Sequence, residues 1–206
     1  MRLLIATRSS GKQRELRRLF DGSGIDVAFP EDLGLAPEPR EDSLEEFDTF
    51  EANARHKAEY FARRSRGPTV ADDSGLEVFA LGGAPGVHSK RFSIVEGSPD
   101  QVDEGNNDEL LRRLAGAPAD RRGARYRCVL VYLPRPDAPP VTFEGSCTGR
   151  ILEARAGAGG FGYDPLFYSD DLGQSFGLAS AAEKDGVSHR GRAFRALLQF
   201  LESSGS

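Results

Sequence analysis

The 206-residue chain has only two cysteines, no long apolar run and no surplus of positive charge. Cys128 and Cys147 lie far apart and form no CxxC or Cys/His cluster, so nothing suggests a zinc site or a disulfide framework. A reduced, cytoplasmic setting is expected. No apolar stretch approaches the roughly 20 residues that a membrane span needs, and Leu3-Leu4-Ile5-Ala6 is too short for a signal-peptide core. A soluble protein without a membrane partner is expected. The formal net charge of -5 argues against sequence-independent binding to DNA or RNA, which needs a basic footprint. A polyphosphate ligand would need local Lys and Arg side chains, backbone amides and a cation. No internal repeat is visible, and Ser203-Ser204-Gly205-Ser206 reads as a flexible tail. With 38% hydrophobic and 29% charged residues, the remainder, 1–202, is expected to form a single domain.

What is present is concentrated in a few segments. Val70-Ala71-Asp72-Asp73-Ser74-Gly75-Leu76 carries two adjacent carboxylates out of an apolar run into turn-forming residues, followed by Gly82-Gly83-Ala84-Pro85-Gly86. Such a strand end offers oxygen ligands suited to Mg²⁺, which takes one or two carboxylates plus water and substrate phosphates. Adjacent strand residues point to opposite faces, so one aspartate of the pair is expected to carry the chemistry. The competing reading is plain turn chemistry, for which Asp, Ser and Gly are the favoured residues.

Upstream, Arg2 to Ala6 reads as a buried strand running into Thr7-Arg8-Ser9-Ser10-Gly11, after which Leu16, Leu19 and Phe20 keep helical spacing. A strand, polar loop and helix start of this kind present amide N–H groups and a dipole to a phosphate, and Lys12 adds a charge. Equally, Ser9 or Ser10 serves only as a helix cap, with Lys12 in solvent. A second amphipathic helix is expected over Phe50 to Arg64, preceded by Glu45 and Glu46. These carboxylates either complete a cation site or favour the helix dipole. Asn53 and Lys57 share one face of that helix.

Arg125 to Leu133 and Val141 to Gly149 alternate as β-strands and are expected to be antiparallel neighbours. In Gly157-Ala158-Gly159-Gly160-Phe161-Gly162-Tyr163-Asp164-Pro165 the glycines permit close backbone approach, and Phe161 and Tyr163 either offer ring faces to a base or tuck into the core. Lys184, His189 and Arg190 crowd the start of an amphipathic C-terminal helix, with Ser188 as its cap, although basic residues there oppose the dipole.

Ala71-Asp72-Asp73-Ser74-Gly75-Leu76 with Leu81 to Val87, Gly159 to Pro165, and Ser188-His189-Arg190-Gly191 together resemble the Ham1 family of inosine triphosphate pyrophosphatases, over nearly the whole chain. The resemblance implies an α/β fold with an elongated mixed β-sheet flanked by helices, a homodimer, and Mg²⁺-dependent hydrolysis of ITP, dITP and XTP to the monophosphate and pyrophosphate. It implies Asp73 as catalytic proton acceptor and metal ligand, with Ser74 beside it on the substrate. Thr7, Ser9 and Lys12 fall in the phosphate loop, and Asn53 and Lys57 in the family's NAxxKA helix. Phe161, Gly162, Tyr163 and Asp164 fall in the base pocket, and Lys184, His189 and Arg190 on the base and its 6-keto edge. Ser9 stands where the family's TxNxxK has Asn. The segment Glu45-Glu46-Phe47-Asp48 replaces Glu-Glu-Thr-Gly with a spacing one residue shorter, which leaves both Glu45 and Glu46 as candidate metal ligands. Two alternatives stay open: a Maf-like nucleotide pyrophosphatase of another base preference, and a non-catalytic nucleotide-binding module.

Overall fold

The computed structural model describes residues 1–204. Seven strands form one mixed sheet flanked by helices, in the order β2-β1-β3-β4-β5-β6-β7. In sequence these are β1 (Arg2–Ile5), β2 (Asp26–Ala28), β3 (Thr69–Val78), β4 (Gly123–Leu133), β5 (Val141–Ile151), β6 (Phe167–Ser169) and β7 (Gln174–Ser175). The helices are α1 (Ser10–Leu19), α2 (Phe50–Ser65), α3 (Pro99–Arg113), α4 (Ala181–Val187) and α5 (His189–Ser204). Strand β1 pairs in parallel with β2 and β3, with Ile5 opposite Val70. Strand β6 is antiparallel to both β5 and β7. Helix α5 includes Ser203 and Ser204, while Gly205 and Ser206 of the expected tail lie outside the described residues.

The chain divides into two compact units. Among the described residues the first comprises Met1–Asp73, Cys128–Gly145 and residues 193–204. Its interior contains one cluster around Leu3, Ile5, Leu16, Phe29, Leu130 and Phe194, and another around Leu4, Ala54, Ala58, Phe61 and Val131. Successive residues of β1 therefore feed opposite faces of the sheet, as the two-residue period of a strand requires. The second unit comprises Ser74–Arg127 and Ser146–Arg192, packed around Leu76, Leu110, Tyr126, Phe167 and Phe176. Each unit holds one buried thiol, Cys128 in the first and Cys147 in the second, with no disulfide.

One sequence expectation is corrected. Asp72 and Asp73 do not end a strand. Strand β3 continues through Ser74 and Gly75 to Val78, with both carboxylates near its middle and buried. Turn-forming residue types lose to tertiary context here, because cations and an amide from neighbouring helices meet the two side chains. The basic C-terminal segment is also more finely divided than expected. Helix α4 ends at Ser188, and Ser188 then caps a new helix by accepting from the Gly191 amide at 3.1 Å.

Candidate active site

In the first unit the β1–α1 junction has the expected form. Ser9 is the N-cap of α1, its hydroxyl accepting from the Lys12 amide, and the Thr7 hydroxyl accepts from the Ser9 amide at 3.2 Å. Thr7 is buried, and Gln13 donates back to its carbonyl at 3.1 Å. The loop is thus tied to itself before any ligand arrives. Strand β3 runs on past its pairing with β1, and Lys12, in the first turn of α1, reaches Asp72 at 2.8 Å.

Helix α2 brings the other partners. Thr49 caps it by accepting from the Ala52 amide, and an alanine-rich face of Ala54, Ala58 and Ala62 seats it on the core. Asn53 uses its amide in two directions. It donates to Asp73 Oδ2 at 2.9 Å, and it grips the backbone of Phe47 by accepting from its N–H at 2.8 Å and donating to its carbonyl at 3.2 Å. One turn later Lys57 forms an ion pair with Glu45. Asn53 and Lys57 therefore hold the 45–47 segment against β3. Glu46 is exposed, so of the two candidate glutamates only Glu45 joins the cluster.

The electrostatics follow from burial among opposed charges. Burial, the strongest influence, pushes the Asp73 carboxyl above its ordinary range, and the Glu45 charge pushes the same way. Lys57, Lys12 and the Asn53 hydrogen bond only partly offset this. Glu45 is held down at about 2, chiefly by Lys57, against the opposing effect of its own burial. Burial disfavours the Lys57 ammonium, but Glu45, Asp72 and Asp73 together override it and raise its pKa. The result is a compact charge cluster in which one aspartate is a stronger base than an aspartate in water.

The second unit carries a different arrangement, built on the Gly-rich loop. Asp164 is buried, accepts from the Phe161 amide at 2.8 Å and pairs with Lys184 Nζ at 2.5 Å. This closed turn leaves no room at Gly160, where a Cβ would lie 1.9 Å from Asp164 Oδ2 and φ is +76°. Lys184 Nζ lies 4.9 Å and the Arg190 guanidinium 5.6 Å from the centre of the half-buried Phe161 ring. Arg190 also donates to Ser74 Oγ at 2.9 Å. His189 stacks on Tyr126 with ring centres 4.6 Å apart and planes 7° from parallel. Such a site offers a ring face and several donors within one buried, cationic wall.

The sequence candidates thus fall into two groups. Thr7, Ser9, Lys12, Glu45, Asn53, Lys57 and Asp73 gather in the first unit. Ser74, Phe161, Gly162, Asp164, Lys184, His189 and Arg190 gather in the second. Tyr163 behaves differently from Phe161. Its ring lies in the core and its hydroxyl donates to the Ser89 carbonyl at 2.8 Å, which pushes loop placement rather than ring exposure to the fore. Asp72, the other half of the aspartate pair, is 0% exposed and pairs with Lys12. Its polarity in an apolar run was the available signal, since a carboxylate buried in a strand needs a cation. Asp103 and Asn107 of α3, which touch Gly162, carried no motif at all.

The profile of the Ham1 family matches residues 3–200. A dITP/XTP pyrophosphatase of Anaeromyxobacter sp. (strain Fw109-5) is 45% identical, over 98% of this chain and 97% of its own. The dITP/XTP pyrophosphatase of Shigella flexneri is 42% identical, over 98% of each. Among solved structures, the Staphylococcus aureus Ham1 protein superposes with a TM-score of 0.82 at 34% identity, covering 99% of this chain and 100% of that one. A HAM1 protein from Coxiella burnetii gives 0.84 at 29% identity, covering 98% and 99%. With a family match over nearly its whole length and relatives at 42% and 45% identity, this chain belongs to the Ham1 family.

Proposed function

We propose that the protein hydrolyses non-canonical purine nucleoside triphosphates, ITP, dITP and XTP, to the monophosphate and pyrophosphate. The observations that carry this reading are, in the first unit, a buried, basic-shifted Asp73 among Lys12, Lys57 and Glu45 and, in the second unit taken by itself, the group of Phe161, Lys184 and Arg190. The first set suits phosphates and a proton acceptor, the second a keto-bearing base. The names of the relatives point the same way.

The metal implied is Mg²⁺. Among the described residues no group of three or more His, Cys, Asp or Glu is arranged to hold a metal. Mg²⁺ takes only one or two carboxylates and fills its shell with water and phosphate oxygens. Asp73 and Glu45, which feel each other's charge, fit as those two ligands, and exposed Glu46 does not. When bound, the metal supplies charge neutralisation at the phosphate oxygens.

The chain's own residues do the rest. The Thr7–Lys12 loop takes phosphate oxygens through backbone amides, hydroxyls and the Lys12 ammonium. Lys57 holds Glu45 ionised and adds a second cation to the polyphosphate. Asp73 accepts the proton of the water that attacks the α-phosphorus, and the α–β anhydride bond breaks to release pyrophosphate. Asn53 fixes the carboxylate by donating to Oδ2. On the base, Lys184, His189 and Arg190 donate toward a 6-keto acceptor. The 6-amino group of adenine would place donor against donor there, a mismatch that costs affinity heavily. Ser74, on Arg190, keeps that guanidinium directed.

We further infer a cytoplasmic homodimer working as a single functional domain over residues 1–202. Two reduced, buried thiols support the compartment, and Phe79, 58% exposed within the stretch from Val78 to Val87, supports a partner surface. No helix among the described residues is long and apolar enough to cross a membrane.

The test is product identification from purified protein, Mg²⁺ and, separately, ITP, XTP, dITP, GTP, ATP and dTTP. Monophosphate and pyrophosphate from the first three only is the expected outcome. Turnover of dTTP or of all triphosphates alike would replace the reading with a Maf-like preference, and binding without turnover would leave a nucleotide-binding module.

A further inference from the structure

Phe161 is the one aromatic ring in the base site whose neighbours in sequence are both glycines, with φ of +76° at Gly160 and +63° at Gly162. Glycines on either side remove the steric limits that normally fix a side chain's direction. Groups beyond the two glycines must therefore set where the ring stands. Asp164 does so on one flank, through the Phe161 amide. On the other flank, the backbone N–H and carbonyl of Gly162 are both met by helix α3.

The hold is two-sided. The Gly162 N–H donates to Asp103 Oδ2 at 2.6 Å, and the Gly162 carbonyl accepts from Asn107 Nδ2 at 2.9 Å. Asp103 and Asn107 are four residues apart and share one face of the helix. The same Asn107 amide donates to the Asp103 carbonyl at 2.9 Å, so both of its contacts are to carbonyl oxygens and its orientation is unambiguous. Asn107 is buried, which leaves no water to replace a lost contact cheaply.

The preceding residue on α3 extends the grip. Asn106 accepts from the Ser93 amide at 2.8 Å and donates to the carbonyls of Ser89 and Lys90 at 3.3 and 3.1 Å. The Ser89 carbonyl in turn accepts the Tyr163 hydroxyl. Gly162 is thus held by α3 directly, and Tyr163 at one remove. On its solvent side α3 is anchored by Arg155, which pairs with Asp108 at 2.7 Å and Glu104 at 2.8 Å.

We propose that Asp103 and Asn107 are positioning residues for base recognition, fixing the Phe161 ring against Lys184 and Arg190 by clamping the backbone N–H and the backbone carbonyl of Gly162. Neither touches the nucleotide. They act on affinity for the base and on discrimination between purines, and leave the phosphate chemistry to residues on other elements. This rests on the function proposed above.

The test compares the full-length parent with Asn107→Ala, Asp103→Ala and Asp103→Asn, measuring kcat and KM for dITP and dGTP alongside Tm. Losing one buried hydrogen bond that orders the ring raises KM for dITP about tenfold in Asn107→Ala, with kcat within about twofold of the parent and a smaller dITP over dGTP preference. Asp103→Ala behaves likewise. Asp103→Asn, whose amide oxygen still accepts from Gly162, keeps KM within about threefold of the parent. A folded Asn107→Ala enzyme with unchanged KM, or one whose Tm and kcat fall while KM holds, overturns the proposal. If Asn107→Ala does not fold, the Asp103 pair decides: equal KM in Ala and Asn variants overturns it, and a rise confined to Ala supports it. A parent that turns over neither nucleotide sinks the functional reading itself, a result distinct from an active parent with indifferent variants.

Discussion

Replacing Lys57 by Met removes a cation from a site that contains three carboxylates. Lys57 pairs with Glu45 and lies in the field of Asp72 and Asp73, which leaves Lys12 as the remaining cation of the cluster. Taking one partner from a buried ion pair costs about 3–5 kcal/mol, because the other charge stays behind. Here the Glu45 side chain is 34% exposed, so water recovers part of that, and roughly 2–3 kcal/mol is expected. For a chain of this length that lowers Tm by roughly 4–12 °C. The pH dependence has a definite sign. Glu45 ordinarily titrates at 4.5 and is held at about 2 in the fold, so its contribution is complete above 4.5 and fades as pH falls toward 2. The gap between parent and Lys57→Met therefore narrows through that window. Urea titrations at pH 7.5 and at steps below 4.5 measure it, and Lys57→Met with Glu45→Gln should recover more than half of the loss. A variant as stable as the parent at pH 7.5, or a gap that widens on acidification, would refute the electrostatic account of the cluster.

Other perturbations separate chemistry from structure. Asp73→Asn keeps the Asn53 contact available and relieves a buried charge, so circular dichroism and Tm should match or exceed the parent while turnover falls by at least about a hundredfold, the scale of general base catalysis. Gly160→Ala forces a Cβ onto Asp164 and a side chain into positive φ, so stability should fall by about 1–3 kcal/mol in chemical denaturation, with weaker nucleotide binding by calorimetry. Lys184→Met should destabilise by leaving Asp164 buried without its ion pair, and Lys184→Met combined with Asp164→Asn should restore Tm without restoring the preference for dITP over dATP. Recovery of that preference in the double variant would remove Lys184 from base recognition.

Local rules made the phosphate side of the protein readable. The helical spacing of Leu16, Leu19 and Phe20 after a Ser-rich loop announces α1, and Ser9 caps it as its side-chain chemistry allows. Helix α2 was legible from the same period, and its end falls within a residue of expectation. The aspartate pair was legible as chemistry and misread as structure. Asp, Ser and Gly signal a turn only when nothing distant competes, and Lys12, 60 positions away, competes directly. The choice between Glu45 and Glu46 was likewise closed to inspection of the sequence, since it depends on which one the segment before α2 presents to Lys57. Helix α3 announced neither itself nor its role. Its contacts to Gly162 join residues more than 50 positions apart through backbone groups, and backbone groups leave no mark on residue identity.

The two thiols give the molecule a pair of internal clocks. Cys128 is 0% exposed in the core of one unit, and Cys147 is 1% exposed in the core of the other, its pKa pushed up to about 11 chiefly by burial. A thiol that is both inaccessible and protonated does not react with an alkylating reagent until its surroundings open. Mass-resolved labelling at each cysteine therefore times the opening of each core separately, in the unmodified chain and without an added probe. Equal rates would mean that the two cores breathe as one cooperative body, and unequal rates would tell which half of the catalytic apparatus is lost first on heating.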